Sequence, residues 1–207
     1  MMKKILVATL CFFLLGNLSL NAQEYNQIDS KGRRQGPWIG YYPDGQKRYE
    51  GQFKNDKCQG VFTYYQENGA LWATNTFDKS GTKALNKTYA PNGTMIATGY
   101  YVNQEKEGEW RYFREDGKLL TVEEYKNGLA YGPSKTYFEN GVLMSERLYV
   151  NDRLEGPAKN YYPSGALKEE GQFHNDKRSG IWKTYNEDGD VVSTENYDAP
   201  EIQGFER

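Results

Sequence analysis

The chain has few of the side chains from which reactive sites are usually built. Its 207 residues include one histidine, His174, and two cysteines, Cys11 and Cys58. Metal sites with several His or Cys ligands and Cys–His nucleophilic pairs cannot be assembled from so few residues. We therefore predict a non-enzymatic protein without a cofactor or metal, in which His174 is a surface side chain.

Long hydrophobic runs are also scarce. Lys3 and Lys4 precede an apolar run from Ile5 to Gly16, and a more polar stretch ends at Ala22. This order is typical of a secretory signal peptide, and the run is too short to span a membrane, which takes about 20 residues. We predict a signal peptide at residues 1–22 and one domain at residues 23–207, exported to the periplasm, the cell envelope or the exterior.

The charge is balanced, with 26 Lys and Arg against 28 Asp and Glu. Without residues 1–22 the chain loses two lysines and no acid, so the formal charge changes from -2 to -4. Acidic residues are mixed with the basic ones and no basic stripe is visible, so nucleic acid is not expected as a partner. Without residues 1–22, Cys58 is the only cysteine, so an intramolecular disulfide is excluded. Cys58 is then either a free thiol without a role or a residue that forms an intermolecular disulfide.

A repeat of 24 residues fills almost all of the remaining sequence. Its units begin near residues 36, 60, 84, 108, 132, 156 and 180, each with a glycine except the third, which has Ala84. A second glycine follows nine residues later in all seven units. A fixed period of this length indicates an array of stacked supersecondary units.

Two columns of the aligned repeats are always aromatic, although aromatic residues are only 15% of the chain. The first column contains Tyr41, Tyr65, Tyr89, Phe113, Tyr137, Tyr161 and Tyr185. The second contains Phe53, Phe77, Tyr101, Tyr125, Tyr149, Phe173 and Tyr197. We interpret both as structural rows that pack between neighbouring hairpins.

Each unit is predicted to be a β-hairpin. Asp or Asn precedes the second glycine in six units, as in Asp44-Gly45, and this pair favours a type I′ turn between strands. Another tight turn is expected where units join, for example near Asn55. No segment has sustained helical periodicity, so the predicted fold is all-β, an elongated antiparallel meander of hairpins.

The faces of the strands are harder to assign. Lys47 and Phe53 are six residues apart on the second strand, which predicts that they share a face. On the first strand, Trp38 and Tyr41 are three residues apart and should point to opposite faces unless a bulge intervenes. The spacing is compatible with either a β-bulge or a curled sheet covered in part on both faces.

Segments such as Gly36-Pro37-Trp38-Ile39-Gly40-Tyr41-Tyr42-Pro43-Asp44-Gly45 resemble the variant MORN repeat of bacterial proteins. The resemblance covers residues ~28–198 and implies a hairpin array with a binding role. Some bacterial proteins of this type are classed as antitoxins, and eukaryotic MORN arrays are implicated in protein assembly and lipid association. The resemblance implies no catalytic residue.

The expected function is that of an exported scaffold for protein–protein interaction. Four tryptophans outside the constant columns are the candidate partner-binding residues, because exposed aromatic residues commonly anchor interfaces: Trp38, Trp72, Trp110 and Trp182. The alternatives are an antitoxin or immunity-type protein that neutralises a toxin, and a cell-envelope module that binds glycans. Unpaired edges of the sheet also predict self-association.

Overall fold

The computed structural model describes residues 24–198, which form one antiparallel sheet of 16 strands and contain no helix. The strands are β1 (Gln27–Ile28), β2 (Arg34–Tyr41), β3 (Lys47–Lys54), β4 (Lys57–Tyr65), β5 (Leu71–Phe77), β6 (Lys83–Tyr89), β7 (Met95–Val102), β8 (Glu105–Phe113), β9 (Leu119–Lys126), β10 (Leu129–Tyr137), β11 (Leu143–Val150), β12 (Arg153–Leu154), β13 (Gly156–Tyr161), β14 (Leu167–His174), β15 (Lys177–Tyr185) and β16 (Val191–Asn196). The predicted signal peptide lies outside the described residues.

Each strand pairs with the next one along the chain, and the short β12 pairs with β11 beside β13. Consecutive antiparallel pairing is the predicted meander, so the all-β hairpin array is confirmed. The described residues form a single layer, and neither face of the sheet is covered by a second sheet or a helix.

The turns within the units differ from the predicted type. In the first unit, the Gly45 N–H donates to the Tyr42 carbonyl at 3.0 Å, and only Gly45 has a positive φ, +87°. This is a type I turn followed by a left-handed glycine. The predicted type I′ turn is wrong here, because three residues, not two, separate the paired residues Tyr42 and Gln46, and Asp44 has no positive φ.

Type I′ geometry occurs instead where the units join. Asn55 and Asp56 have φ values of 53° and 66°, and Asn151 and Asp152 have nearly the same values. Asn and Asp tolerate this left-handed conformation better than other residues with side chains. The second tight turn of the repeat is therefore confirmed.

The first glycine of a unit forms a β-bulge, but this bulge precedes Trp38 and its counterparts. No extra residue of β2 separates Trp38 from Tyr41, so these two side chains point to opposite faces of the sheet. Gly60 has a φ of +62°, and near it Glu50 faces Thr63 while Gln52 faces Gln59. Between these two pairs, β3 has one residue, Gly51, and β4 has three, residues 60–62. A left-handed position in such a bulge favours glycine.

The third unit has no bulge at the position of the first glycine. Ala84 pairs with Phe77 on one side and Tyr101 on the other in an unbroken register. The residues that other units place in the bulge lie here in a longer connection between Phe77 and Ala84, where the Asp78 N–H donates to the Lys83 carbonyl at 2.9 Å. The 24-residue period therefore survives without the glycine.

The two constant aromatic columns lie on opposite faces of the sheet. We call the face that carries Phe53 and the other residues of the second column the front face, and the face that carries Tyr41 and the first column the back face. A bulge places an extra residue, Arg48, between the cross-strand pairs Tyr41–Lys47 and Gly40–Tyr49. Because the extra residue reverses the alternation, Lys47 shares the back face with Tyr41, and the prediction that it shares a face with Phe53 is wrong.

Candidate functional site

The front face holds a row of aromatic rings that pack edge to face. Phe62 lies between Phe53 and Phe77, with ring centroids 5.0 and 5.4 Å away. Trp110 lies in the same way between Tyr101 and Tyr125, at 4.9 and 6.4 Å. Such pairs contribute about 0.5–1.5 kcal/mol each beyond the area they bury. These rings give the single-layer sheet its core.

Glycine on the neighbouring strand makes room for each of these rings. A Cβ on Gly99 would lie 2.3 Å from the Trp110 ring, and Gly51 and Gly171 stand in the same relation to Phe62 and Trp182. In each case the glycine precedes the ring by eleven residues. This spacing could have been read from the sequence.

A cation covers each tryptophan of the row. The guanidinium carbon of Arg178 is 3.9 Å from the Trp182 ring centroid, and the Lys106 ammonium is 4.9 Å from that of Trp110. Arg34 lies over Trp38 and Phe53. The cation always precedes its tryptophan by four residues, in units one, four and seven.

The four candidate tryptophans therefore differ in accessibility. Trp110 and Trp182 are 2% and 3% exposed, so the expectation that these two are exposed is wrong, whereas Trp38 is half-buried and its role in binding stays a prediction. Their indole N–H groups are also satisfied, since that of Trp110 donates to the Tyr100 carbonyl at 3.0 Å. Trp72 is the exception, with half of its surface exposed.

The ring and its cation are both missing from the third unit. Asn86 occupies the ring position and Thr82 the cation position. The Asn86 side-chain N–H donates to the Asn75 side-chain oxygen at 2.8 Å, and the Asn86 oxygen accepts from the Thr88 hydroxyl at 3.0 Å. A polar cluster thus interrupts the aromatic row.

An open groove of about 890 Å³ lies over this interruption. Its walls include Phe77 and Tyr101 on either side of Ala84, the Asn75–Asn86 pair, and the exposed Trp72. The volume lies within the ~300–1,000 Å³ usual for ligand sites. The groove is the candidate functional site.

Units five and six also lack the ring, but larger side chains stand beside the small residues there. Next to Ser134 is Glu123, which accepts a hydrogen bond from the Tyr125 hydroxyl at 2.6 Å. Next to Ala158 is Arg147, whose guanidinium donates to the Lys159 carbonyl at 2.8 Å. The groove over the third unit is lined by Asn86, and neither Ser134 nor Ala158 is part of its walls.

Hydrogen-bonded tyrosine–glutamate pairs line the back face. Tyr65 donates to Glu50, Tyr161 to Glu146 at 3.0 Å and Tyr185 to Glu170 at 2.8 Å. The Lys47 ammonium, and then the Tyr65 hydroxyl, hold the pKa of Glu50 below its usual value. These hydrogen bonds give a structural role to the hydroxyl groups of the tyrosines in the first aromatic column.

Basic residues on the back face are less scattered than the sequence suggests. One position of units three to seven is always Lys or Arg and exposed: Lys87, Arg111, Lys135, Lys159 and Lys183. Glu146 faces both Lys135 and Lys159 from the strand between them. Glu170 lies in the same way between Lys159 and Lys183, whereas Arg111 faces Thr98 and Val122, so acids offset only the later part of the row.

Groups with catalytic potential are not brought together. His174 is exposed, as predicted, and lies 3.0 Å from Glu155. Cys58 is a free, partly buried thiol in the groove wall, and burial raises its pKa. Residues 24–198 contain no cluster of three or more His, Cys, Asp or Glu side chains that could hold a metal ion. They also contain no helix of the length and apolarity that a membrane span requires.

We compared the chain with curated proteins, solved structures and family models. No curated protein matches the sequence. Similar solved structures include TarM and an S. aureus TarM mutant in complex with Fondaparinux, alpha-GlcNAc-glycerol and UDP, at 17% and 16% identity and a TM-score of 0.36. Each match covers 46% of this chain and 19% of the TarM chain, so the chain spans about a fifth of the length of these proteins.

The family model for the MORN repeat variant matches residues 34–55, 106–127, 130–151, 154–175 and 178–199. The matched segments fall in units one and four to seven, whereas units two and three, which form much of the groove, lie between them. MORN repeats are generally non-catalytic modules. Together the five segments cover more than half of the sequence, and the chain belongs to the MORN repeat variant family.

Proposed function

We propose that the protein is an exported, non-enzymatic scaffold that binds another protein through the front-face groove of units two and three. The proposal is based on the groove, because the groove lies over the unit that differs most from the repeat pattern. A regular repeat presents the same surface many times, whereas this groove lies over the one unit that has Ala84 at the first-glycine position and Asn86 at the ring position. Export rests on the signal-peptide pattern of Lys3, Lys4 and the apolar run after them.

The composition of the groove suits a protein partner. Rings and small apolar residues such as Ala73 and Ala84 share its walls with side-chain amides, and a few polar groups among apolar ones are typical of specific binding sites. Trp72 adds a large exposed ring that lies in the groove wall. Tryptophan is among the residues that most often dominate binding energy at interfaces.

The test is capture of partners by immobilised residues 23–207 from envelope extract, followed by direct titration of the purified partner. Trp72→Ala should weaken binding by about 2 kcal/mol or more, which is the usual size of an interface anchor. Tyr131→Ala is the matched control, since Tyr131 is 43% exposed but lies outside the groove. Equal affinity of all three proteins would contradict the proposal.

Glycan binding is a second candidate, favoured by the Asn75–Asn86 amides beside an exposed tryptophan. Retention on peptidoglycan that is lost with Trp72→Ala, without a captured protein, would favour it over the scaffold. Capture of one small toxin would instead support the antitoxin alternative.

A further inference from the structure

The ring sites of the front face form an internal template for what fits the groove. At the ring position, units two, four and seven hold Phe62, Trp110 and Trp182, each between two rings of the front-face column. The third unit keeps the two flanking rings, Phe77 and Tyr101, but has Asn86 between them. The environment that buries a ring elsewhere therefore borders an open groove here.

The third unit also lacks a basic residue at the cation position. Arg34, Lys106 and Arg178 each lie over rings of their own units. The rings of Phe77 and Tyr101 have no such cation among the described residues, and Thr82 occupies its position. Their ring faces, which are electronegative, are thus free to attract a positive charge from outside.

We propose that the groove binds a polypeptide segment with an aromatic side chain next to a basic one, which together complete the third unit. The ring enters between Phe77 and Tyr101, and the basic group lies over one of them. The half-buried Asn75 side chain on the floor offers a hydrogen bond to a polar atom such as an indole N–H, and the buried Asn86 holds it in place. This assignment rests on the proposed function and names the partner chemistry of the same groove.

Units five and six show why the site is specific to the third. Glu123 and Arg147 stand where the third unit has Asn75, and both make hydrogen bonds that fix them beside the empty ring position. Asn75 is shorter than either side chain. A guest ring is therefore excluded from units five and six and admitted to unit three.

The first experiment titrates residues 23–207 with three blocked dipeptides, acetyl-Lys-Trp-amide, acetyl-Ala-Trp-amide and acetyl-Glu-Trp-amide, and follows them by ¹⁵N NMR. We expect saturable shifts of the Asn75 and Asn86 side-chain amides. The Lys-Trp peptide should bind about two- to fivefold more tightly than the Glu-Trp peptide, as expected for an exposed cation–π contact. Absent shifts, or shifts away from the groove, would overturn the proposal, and equal affinities would overturn its basic half.

The second experiment fills the site from within. The variant Asn75→Gly, Thr82→Arg, Asn86→Trp rebuilds the glycine, cation and ring of an intact unit and should weaken dipeptide binding at least tenfold. The matched control, Arg147→Gly, Leu154→Arg, Ala158→Trp, makes the same changes in unit six and should alter binding less than twofold. Tight binding by the filled variant would overturn the assignment; if that variant fails to fold, the shifts in the wild-type protein still decide it.

Chitobiose serves as the glycan probe. Shifts of the same amides by chitobiose, without binding of any dipeptide, would overturn the aromatic guest and favour a glycan. These experiments distinguish failure of the proposed scaffold function from failure of the proposed aromatic and basic guest. Loss of captured protein with Trp72→Ala but no dipeptide binding would leave the scaffold standing and remove only the ring assignment.

Discussion

On the front face, the sizes of neighbouring side chains on adjacent strands are complementary. Gly99 with Trp110 and Gly171 with Trp182 combine no side chain with a large ring, whereas Asn75 with Asn86 combines two of medium size. Close packing leaves room for only one large group at each site. The stability of the sheet at a given unit therefore depends on both members of a pair.

Gly99→Ala should destabilise the protein by about 1–3 kcal/mol, because the new methyl group overlaps the Trp110 ring. Trp110→Ala should cost about 3–5 kcal/mol through the cavity it leaves. The double variant should cost clearly less than the two together, since the clash is then gone. Urea unfolding of all four proteins measures this coupling, and strict additivity would refute the pairing.

Glu50→Gln tests the back-face ion pair. The pKa of Glu50 is lowered in the folded protein, so its charge stabilises the fold above the ordinary Glu pKa of about 4.3, and this stabilisation is lost as pH falls through the folded pKa. The carboxylate side chain is 39% exposed, so the loss at pH 7 should be within about 1 kcal/mol. Urea unfolding at pH 7 and pH 3 should show the difference from wild type shrinking in acid. The exposed Glu139→Gln is the control.

At the scale of the element, a unit has two kinds of turn and two bulges, one at its first glycine and one beside the turn within the unit, and the third unit lacks the first of these bulges. Because the bulge at Gly108 needs a left-handed residue and has open space around it, an added Cβ meets only backbone strain. The third unit avoids this requirement by moving residues from the bulge into the Asp78–Lys83 connection. Ala84 is therefore not a damaged glycine but part of a different local geometry.

Gly108→Ala should accordingly cost about 1–2 kcal/mol, the strain of a left-handed residue with a side chain. Ala84→Gly should also destabilise, by about 0.5–1 kcal/mol, because glycine in a regular strand loses more entropy on folding. Denaturant unfolding compares the two. A stabilising Ala84→Gly would show that the third unit is a damaged copy of the others.

The hairpin array could be predicted from the sequence because period, turn residues and aromatic columns all point to it. The turn types could not be assigned from Asp44-Gly45 alone, because this pair suits both a two-residue type I′ loop and the end of a three-residue loop that contains a type I turn. The faces were misread because a bulge residue such as Arg48 leaves no compositional mark. The groove follows from Asn86, whose significance emerges only when the packing of Phe62 and Trp110 is known.

At the scale of the whole molecule, the two edges of the sheet are unequal. The side chain of Asn26 caps β2, accepting from the Ile39 N–H at 2.8 Å and donating to the Ile39 carbonyl at 3.1 Å. At the other end, all six residues of β16 are exposed and no strand of the described residues pairs with its outer edge. Bare edges favour pairing with another chain.

We therefore expect self-association through β16 at high concentration. Val192→Lys should reduce it, because a lysine on an edge strand opposes pairing and Val192 is 60% exposed. Val61→Lys, at a 54% exposed position inside the array, is the control. If light scattering shows that the wild-type protein has the molar mass of a monomer at high concentration, this expectation is contradicted.

The most direct test of the central claim is hydrogen–deuterium exchange of residues 23–207 with and without its purified partner. The account predicts that added protection is concentrated in β4–β7, which surround the groove, and that β10–β13 exchange as before although they also lack the ring. Protection spread evenly along the array, or centred on β10–β13, would contradict the claim that the third unit is the binding site.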